Sequence, residues 1–382
     1  MARERLDHLF FSILGLSAVS WGGLALMAQL ERRYVQQKGL LGAEAFADLV
    51  AVAWTVPGPV AGNVAVQLGY VLCGSIGAWV AGIASVLPFF LAMCVLAFAY
   101  QRFGASVLSA SHLTTRFSLV LACLIGVTYV RQAQSLLRTP SRQLLSVVAT
   151  ALLWVFHTPA VFLSILVGSF LAGWFSSTES SEGVGHFRTT TTEKGMLAAM
   201  AAVLALFVLL PEGQPLWLEG LRQAGAGLTL FGGGFSAIPV LKGLYPEGAQ
   251  FPPAIFTTAL ALTSVCPGPL LNIVPFLGYM RSGLAGALFA TLALFLPTGV
   301  LAVLVQRWRD ALRKSARFEQ AISYLRAATT AFLAETVLRL VPHVPVTVPN
   351  AVIGLVVLIA LWRWKVPAYG LYLGVAVASL VV

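Results

Sequence analysis

The sequence predicts an all-α, polytopic membrane protein with about 12–13 transmembrane or half-membrane helices in two inverted sequence repeats. Three observations predict it. The composition is too apolar for a soluble fold, the apolar residues fall into a series of segments of bilayer length, and a set of glycine and proline landmarks recurs some 210 residues further on.

Of the 382 residues, 58% are hydrophobic and 10% are charged, whereas a soluble chain carries about 25% charge. The mean hydropathy is +0.87. A soluble surface has no means of covering so much apolar side chain, but lipid accepts apolar faces all round a helix. The net charge of +10 comes from basic residues scattered singly and from one short cluster. That pattern fits basic loops facing the cytoplasm and anionic lipid, not nucleic acid. Cys73, Cys94, Cys123 and Cys266 form no C-x-x-C pair and read as small buried hydrophobes, so no disulfide framework and no metal site is expected. Arg3 and Arg5 precede an apolar run that continues into a Gly-Gly segment and reads as part of the protein's body, not a cleaved leader. G-x-S-x-G, Walker and H-E-x-x-H patterns are missing, so neither an enzyme nor a cofactor is expected.

The apolar segments run over 9–30, 45–66, 75–100, 117–137, 143–157, 160–175, 195–211, 217–240, 254–276, 284–306, 320–341, 350–363 and 366–382. A full crossing takes about 20 residues, so the shortest of them read as half-helices or tight hairpins. Residues 176–194 are rich in Ser, Thr and Gly and read as a flexible linker. The cluster Arg307, Arg309, Arg313, Lys314 and Arg317 marks the cytoplasmic side. Thirteen crossings then put the N-terminus inside. Arg32, Arg33 and Lys38 fall on the opposite side, an exception that disappears if 9–30 re-enters instead of crossing.

Trp21-Gly22-Gly23 matches Phe231-Gly232-Gly233, and Pro57-Gly58-Pro59 matches Pro267-Gly268-Pro269, both at an offset of 210 (21 to 231, 57 to 267). Asn63 matches Asn272, Gly69-Tyr70 matches Gly278-Tyr279, Gly77-Ala78 matches Gly286-Ala287 and Pro88 matches Pro297, all at 209 (63 to 272). One single-residue gap keeps every landmark in register, which marks a duplication. An odd number of spans between the copies turns them upside down, a common transporter plan.

Pro-Gly-Pro inside an apolar segment breaks its helix, because proline removes a donor and glycine admits non-helical backbone. In hydrocarbon the freed groups need partners from protein, water or ligand. A helix restarting after Pro59 or Pro269 aims its N-terminal amides at the break, a natural anion site. The candidate binding residues are therefore Gly22, Gly23, Thr55, Pro57, Gly58, Pro59 and Asn63 in the first half. In the second they are Gly232, Gly233, Gly234, Thr263, Ser264, Pro267, Gly268, Pro269 and Asn272. Thr55, Thr263 and Ser264 offer hydroxyls, and Asn63 and Asn272 offer amides. Packing glycines and kink prolines are the plainer reading of either motif alone; recurrence at matched spacing favours a functional break. Arg32, Arg33, Asp48, Arg326 and Glu335 are the charge or coupling candidates. Arg326 and Glu335, nine residues apart on nearly one helix face, read either as a structural pair or as an anion contact and a proton-coupling group.

At these landmarks the sequence resembles the chromate ion transporter family in its long-chain, two-domain form. The resemblance is carried by Phe231 to Leu241 (FGGGFSAIPVL), Pro267-Gly268-Pro269, Asn272 and Gly278-Tyr279, and by Trp21-Gly22-Gly23, Pro57-Gly58-Pro59, Asn63 and Gly69-Tyr70. It implies a multi-pass plasma (inner) membrane carrier of oxyanions, chiefly chromate exported from the cytoplasm. It also implies residues 1–175 as one chromate-transporter-like repeat, 176–215 as a linker with a connecting helix and 216–382 as the second repeat. The chain departs from the family pattern at Leu24, Leu26 and Met27, where Gly-Gly-Pro and an Ala-His pair are usual, and at Trp54 and Ser264, where Gln is common. These departures bear on the substrate, not the fold. The expected partners are a small oxyanion (chromate or sulfate), a coupling proton, the lipid bilayer and a second copy in a homodimer. Two rivals stay open: an uptake carrier or channel for sulfate or another anion, and a membrane scaffold that transports nothing.

Overall fold

A computed structural model describes residues 4–107, 111–156, 158–177, 189–211, 214–231, 234–246, 251, 253–313 and 315–381. Fifteen α-helices and no strand lie among the described residues. The first seven are α1 (Leu6–Val19), α2 (Gly23–Glu31, running into a π-helical turn Arg32–Gln37), α3 (Ala43–Thr55), α4 (Val60–Val107), α5 (Ser111–Leu136), α6 (Pro140–Val155) and α7 (Pro159–Ser176). A connecting helix, α8 (Thr191–Leu209), follows the linker, most of which lies outside the described residues. Then come α9 (Leu216–Gly227), the 3-10 turn Gly234–Ala237 with α10 (Ile238–Leu244), α11 (Pro253–Val265), the 3-10 turn Leu270–Asn272 with α12 (Ile273–Arg313), α13 (Ala316–Leu340), α14 (Val348–Trp362) and α15 (Ala368–Val381). Helices α9 to α15 repeat α1 to α7 in order, and α8 is left over.

Local sequence accounts for the helix starts. Proline stands in the first turn of α6, α7, α10 and α14, where a missing N–H costs nothing. Thr190 and Glu193 form a capping box at α8. Five stretches are long and apolar enough to cross a bilayer: Val60–Gly104, Thr115–Leu136, Pro159–Ser176, Thr191–Leu209 and Ile273–Arg309. Large apolar side chains such as Phe11, Val95, Phe98, Phe175 and Leu209 stand on the outside, where lipid, not water, would cover them. The chain is a multi-pass, all-α membrane protein.

Four of the apolar segments prove finer-grained than single spans. The segment 9–30 divides at Ser20–Gly22 and 45–66 divides at Val56–Pro59; in the second half 217–240 and 254–276 divide in the same way. The reason is the backbone the motifs impose. Gly22, Gly58 and Gly268 have φ of +92°, +97° and +121°, which residues with a Cβ rarely adopt.

Both long helices also turn back on themselves. Gly74 (φ +69°) reverses α4, and Gly283 (φ +61°) reverses α12. The legs pack so closely that a Cβ on Gly69 or Gly77 would meet the other's carbonyl oxygen at 2.2 Å. Gly278 and Gly286 do the same, at 2.6 and 2.2 Å. The recurring Gly-Tyr and Gly-Ala landmarks are thus the contact points of two helical hairpins.

The halves exchange helices. α13 packs against α6 and α7, while α5 packs against α14 and α15, and α4 lies along α12. α13 is the central rod, buried at most positions between Ala321 and Thr336. The largest apolar cluster accordingly draws Phe89, Met93 and Phe162 from one half and Phe276, Leu294 and Phe332 from the other.

Gly69→Ala and Gly74→Ala separate the two uses of glycine. Gly74 has open space around its missing Cβ, so alanine there costs only the backbone strain, about 1–3 kcal/mol. Alanine at Gly69 drives backbone against backbone and should cost several kcal/mol. Thermal unfolding in detergent should show a modest drop for Gly74→Ala and loss of monodisperse protein for Gly69→Ala.

Candidate functional site

The four breaks meet inside the molecule. The Gly58 amide donates to the Leu230 carbonyl at 2.8 Å, and the Gly268 amide donates to the Ser20 carbonyl at 2.9 Å. These bonds are copies of one another, since Ser20 and Leu230, like Gly58 and Gly268, stand 210 apart (20 to 230, 58 to 268). Trp21 and Gly268 also form an isolated parallel bridge. Each Pro-Gly-Pro break is therefore tied to the first break of the other half.

This brings helix starts together. α2 begins at Gly23 and α4 at Val60, and a Cβ at Gly23 would stand 3.4 Å from that of Ala61. The turns Gly234–Ala237 and Leu270–Asn272, which lead into α10 and α12, pack on each other. Each helix start carries free amides and roughly half a positive charge. Several such ends facing one region suit a small anion.

Glycine is required at the crossing by space as well as by φ. A Cβ on Gly58 would lie 2.7 Å from Cβ of Thr298, and one on Gly268 would lie 3.0 Å from Cβ of Phe89. Phe89 and Thr298 are themselves equivalent, each one residue after the landmark prolines Pro88 and Pro297. Neither wall residue stood out in the sequence. The recurring prolines pointed one position short of them.

The candidate residues divide into spent and unspent groups. Asn63 donates its amide to the Pro57 carbonyl at 2.9 Å, and Asn272 donates to the carbonyls of Pro267 at 3.4 Å and Thr263 at 3.5 Å. Both asparagines thus satisfy carbonyls released by the proline breaks. Thr55 and Ser264 donate to carbonyls of their own helices, Val52 and Leu260. By contrast the Thr263 hydroxyl, Oδ1 of Asn272 and both amide atoms of Gln67 are buried without a hydrogen-bond partner among the described residues. An orphaned buried polar group costs about 1–3 kcal/mol, and such groups concentrate where water or solute is handled. Gly22 lies at the first break with no atom within 4 Å of a would-be Cβ. Gly234 opens the 3-10 turn, and Gly232 and Gly233 lie outside the described residues.

A groove of about 410 Å³ between α4 and α12 is lined in part by Pro59, Asn63, Val66, Thr298 and Gly299. Glu193 and Arg307 also line it, and Arg307 pairs with the buried Glu193 carboxylate at 2.7 Å. Of the basic cluster, Lys314 lies outside the described residues.

Among the charge candidates, Glu335 is buried and pairs with Arg339, one helical turn on, and not with Arg326. Arg339 further donates to the carbonyls of Leu153 and Trp154 and lies over the Trp154 ring. The i,i+4 spacing of Glu335 and Arg339 was present in the sequence as a signal. Arg326 instead covers the ring of Trp54, 5.6 Å from its centroid, three residues before Pro57. Arg32 and Arg33 stand exposed on the π-helical turn, and Arg33 donates to Gln37. Asp48 is half-buried on α3.

A chain of paired broken helices tied together inside an apolar bundle is a polytopic membrane transporter. It belongs to the chromate transporter family, which it matches over residues 8–174 and 220–380. It is 28% identical over 366 residues to the chromate transport protein of Cupriavidus metallidurans, covering 94% of this chain and 88% of that protein. The chromate transport protein of Pseudomonas aeruginosa is 25% identical over 387 residues (94% of this chain, 87% of that protein). A probable chromate transport protein of Synechococcus elongatus is 24% identical over 379 residues (94% and 90%). No solved structure matches the chain.

The Gly58–Thr298 contact gives a direct check on the crossing. Gly58→Ala should abolish transport and lower the unfolding temperature. Adding Thr298→Gly removes the collision but keeps the φ strain and puts a glycine inside α12, so the double variant should regain stability to within about 3–4 kcal/mol of wild type. Unfolding in detergent, read beside transport, measures both.

Proposed function

We propose that this protein is an alternating-access carrier that exports an oxyanion, chromate foremost, from the cytoplasm across the plasma membrane. The observation that carries the reading is the reciprocal pair of amide–carbonyl bonds, which turns four helix breaks into one region of convergent amides. The names of the relatives supply the substrate class. Gly22, Gly58, Gly268 and the first turns of α2, α4 and α12 form the anion's seat in this reading, with Thr263 and Asn272 contributing their unspent oxygens through water or a protonated substrate.

The two repeats are inverted about an axis in the membrane plane, and the N-terminus and the Arg307 cluster face the cytoplasm. What supports this is the reciprocity of the contacts, the odd helix α8 between the copies and the density of positive charge at the end of α12. Export of a dianion is favoured by the inside-negative potential, by about 2.3 kcal/mol per charge per 100 mV. Glu335, buried on α13 and ion-paired with Arg339, is our candidate for the coupling carboxylate.

Labelled chromate uptake into inverted vesicles tests the reading, with an imposed potential and sulfate as competitor. Saturable, potential-driven uptake that sulfate blocks is the expected result. Uptake no greater than in empty vesicles would refute the oxyanion assignment and leave the fold untouched. Under a pH gradient, Glu335→Gln should lose gradient dependence while keeping potential-driven flux. An unchanged response would remove Glu335 from coupling.

A further inference from the structure

We propose that Arg326 is the cation that holds the substrate's negative charge beside the first Pro-Gly-Pro break, and that Trp54 positions it. The proposal rests on the oxyanion reading and adds to it the formal charge that helix ends alone do not supply. A dianion outweighs the partial charges of a few helix starts. A full positive charge within reach offsets part of the cost of taking such an ion out of water.

Four other cations near the bundle's interior are committed elsewhere. Arg339 is held by Glu335, Arg281 by Glu219 at 3.0 Å and Arg307 by Glu193. Arg131 donates to the Leu361 carbonyl at 3.0 Å. Arg326 differs from these. It sits half-buried in α13, which is buried at most positions between Ala321 and Thr336, and among the described residues its guanidinium has no carboxylate and no hydrogen-bond acceptor. Its guanidinium lies over the face of Trp54, 5.6 Å from the centroid, a distance at which the ring's negative face attracts a cation. A ring fixes where a guanidinium lies but leaves its five N–H donors unspent, and a planar fork of donors matches a tetrahedral oxyanion. Trp54 stands on the last turn of α3, where Val52 and the capping Val56 pack on Ala302 of α12, so the pair lies at the helix end that leads into the first Pro-Gly-Pro break. A lone ionised group in a membrane segment destabilises its protein and marks function in general.

The test compares initial rates of chromate transport by the full chain in proteoliposomes with thermal unfolding of the same preparations. Arg326→Gln and Arg326→Met should raise KM roughly tenfold or more, the weight of a charged hydrogen bond. They should leave the unfolding temperature equal to wild type or higher, because an unpaired charge has been removed. A structural arginine would do the reverse, lowering the unfolding temperature at constant KM. Trp54→Phe keeps a ring and should stay near wild type, Trp54→Ala should raise KM with maximal rate nearly unchanged, and Trp54→Ala with Arg326→Gln should be no worse than Arg326→Gln alone. Wild-type KM in both Arg326 variants overturns the assignment while leaving oxyanion transport standing. A wild-type protein with no saturable chromate or sulfate transport overturns both.

Discussion

Two backbone hydrogen bonds, Gly58 to Leu230 and Gly268 to Ser20, hold the centre of this molecule in place. In a bilayer a broken helix is tolerated only where its freed amides and carbonyls find partners. Here each break supplies the other half's partner, so neither could exist alone. The glycines serve twice, reaching a φ other residues avoid and letting Thr298 or Phe89 close over them. Asn63 and Asn272 then take up carbonyls that the prolines leave behind. The helix starts follow from this arrangement, because each begins within a few residues of a tied break.

The frame is two-fold, but its lining is not. Phe89 in one copy is Thr298 in the other. Leu9, Ser12 and Leu72 in the first half correspond to Glu219, Arg222 and Arg281 in the second, where they build a buried ionic cluster. Arg326 and the Glu335–Arg339 pair lie on α13. The backbone is thus close to symmetric while the chemistry it carries is one-sided.

The class of fold was legible from composition alone, and the duplication from a handful of glycines and prolines. Pro57-Gly58-Pro59 and its copy announced their breaks because proline and glycine act locally. What they were tied to was not legible, since a hydrogen bond between residues 58 and 230 leaves no trace in either neighbourhood. Gly69 and Gly77 were visible as landmarks, but their meaning depended on a reversal at Gly74 that only the folded chain reveals. The asparagines stand near the breaks, as their spacing from the prolines implied, and their amides serve the carbonyls there. Arg326 and Glu335 looked like a couple because nine residues return nearly to one helix face. A closer arginine, Arg339, and an aromatic from another helix, Trp54, won the competition for them.

The exchange of helices has a consequence for what the linker is for. With α13 seated among α6 and α7, and α5 among α14 and α15, each half is clasped by the other through surfaces it cannot bury by itself. The covalent connection through α8 is not what keeps the halves together. What it secures is stoichiometry: once the two copies have diverged in charge, a single chain guarantees that every first half is matched with a second half and never with its own twin.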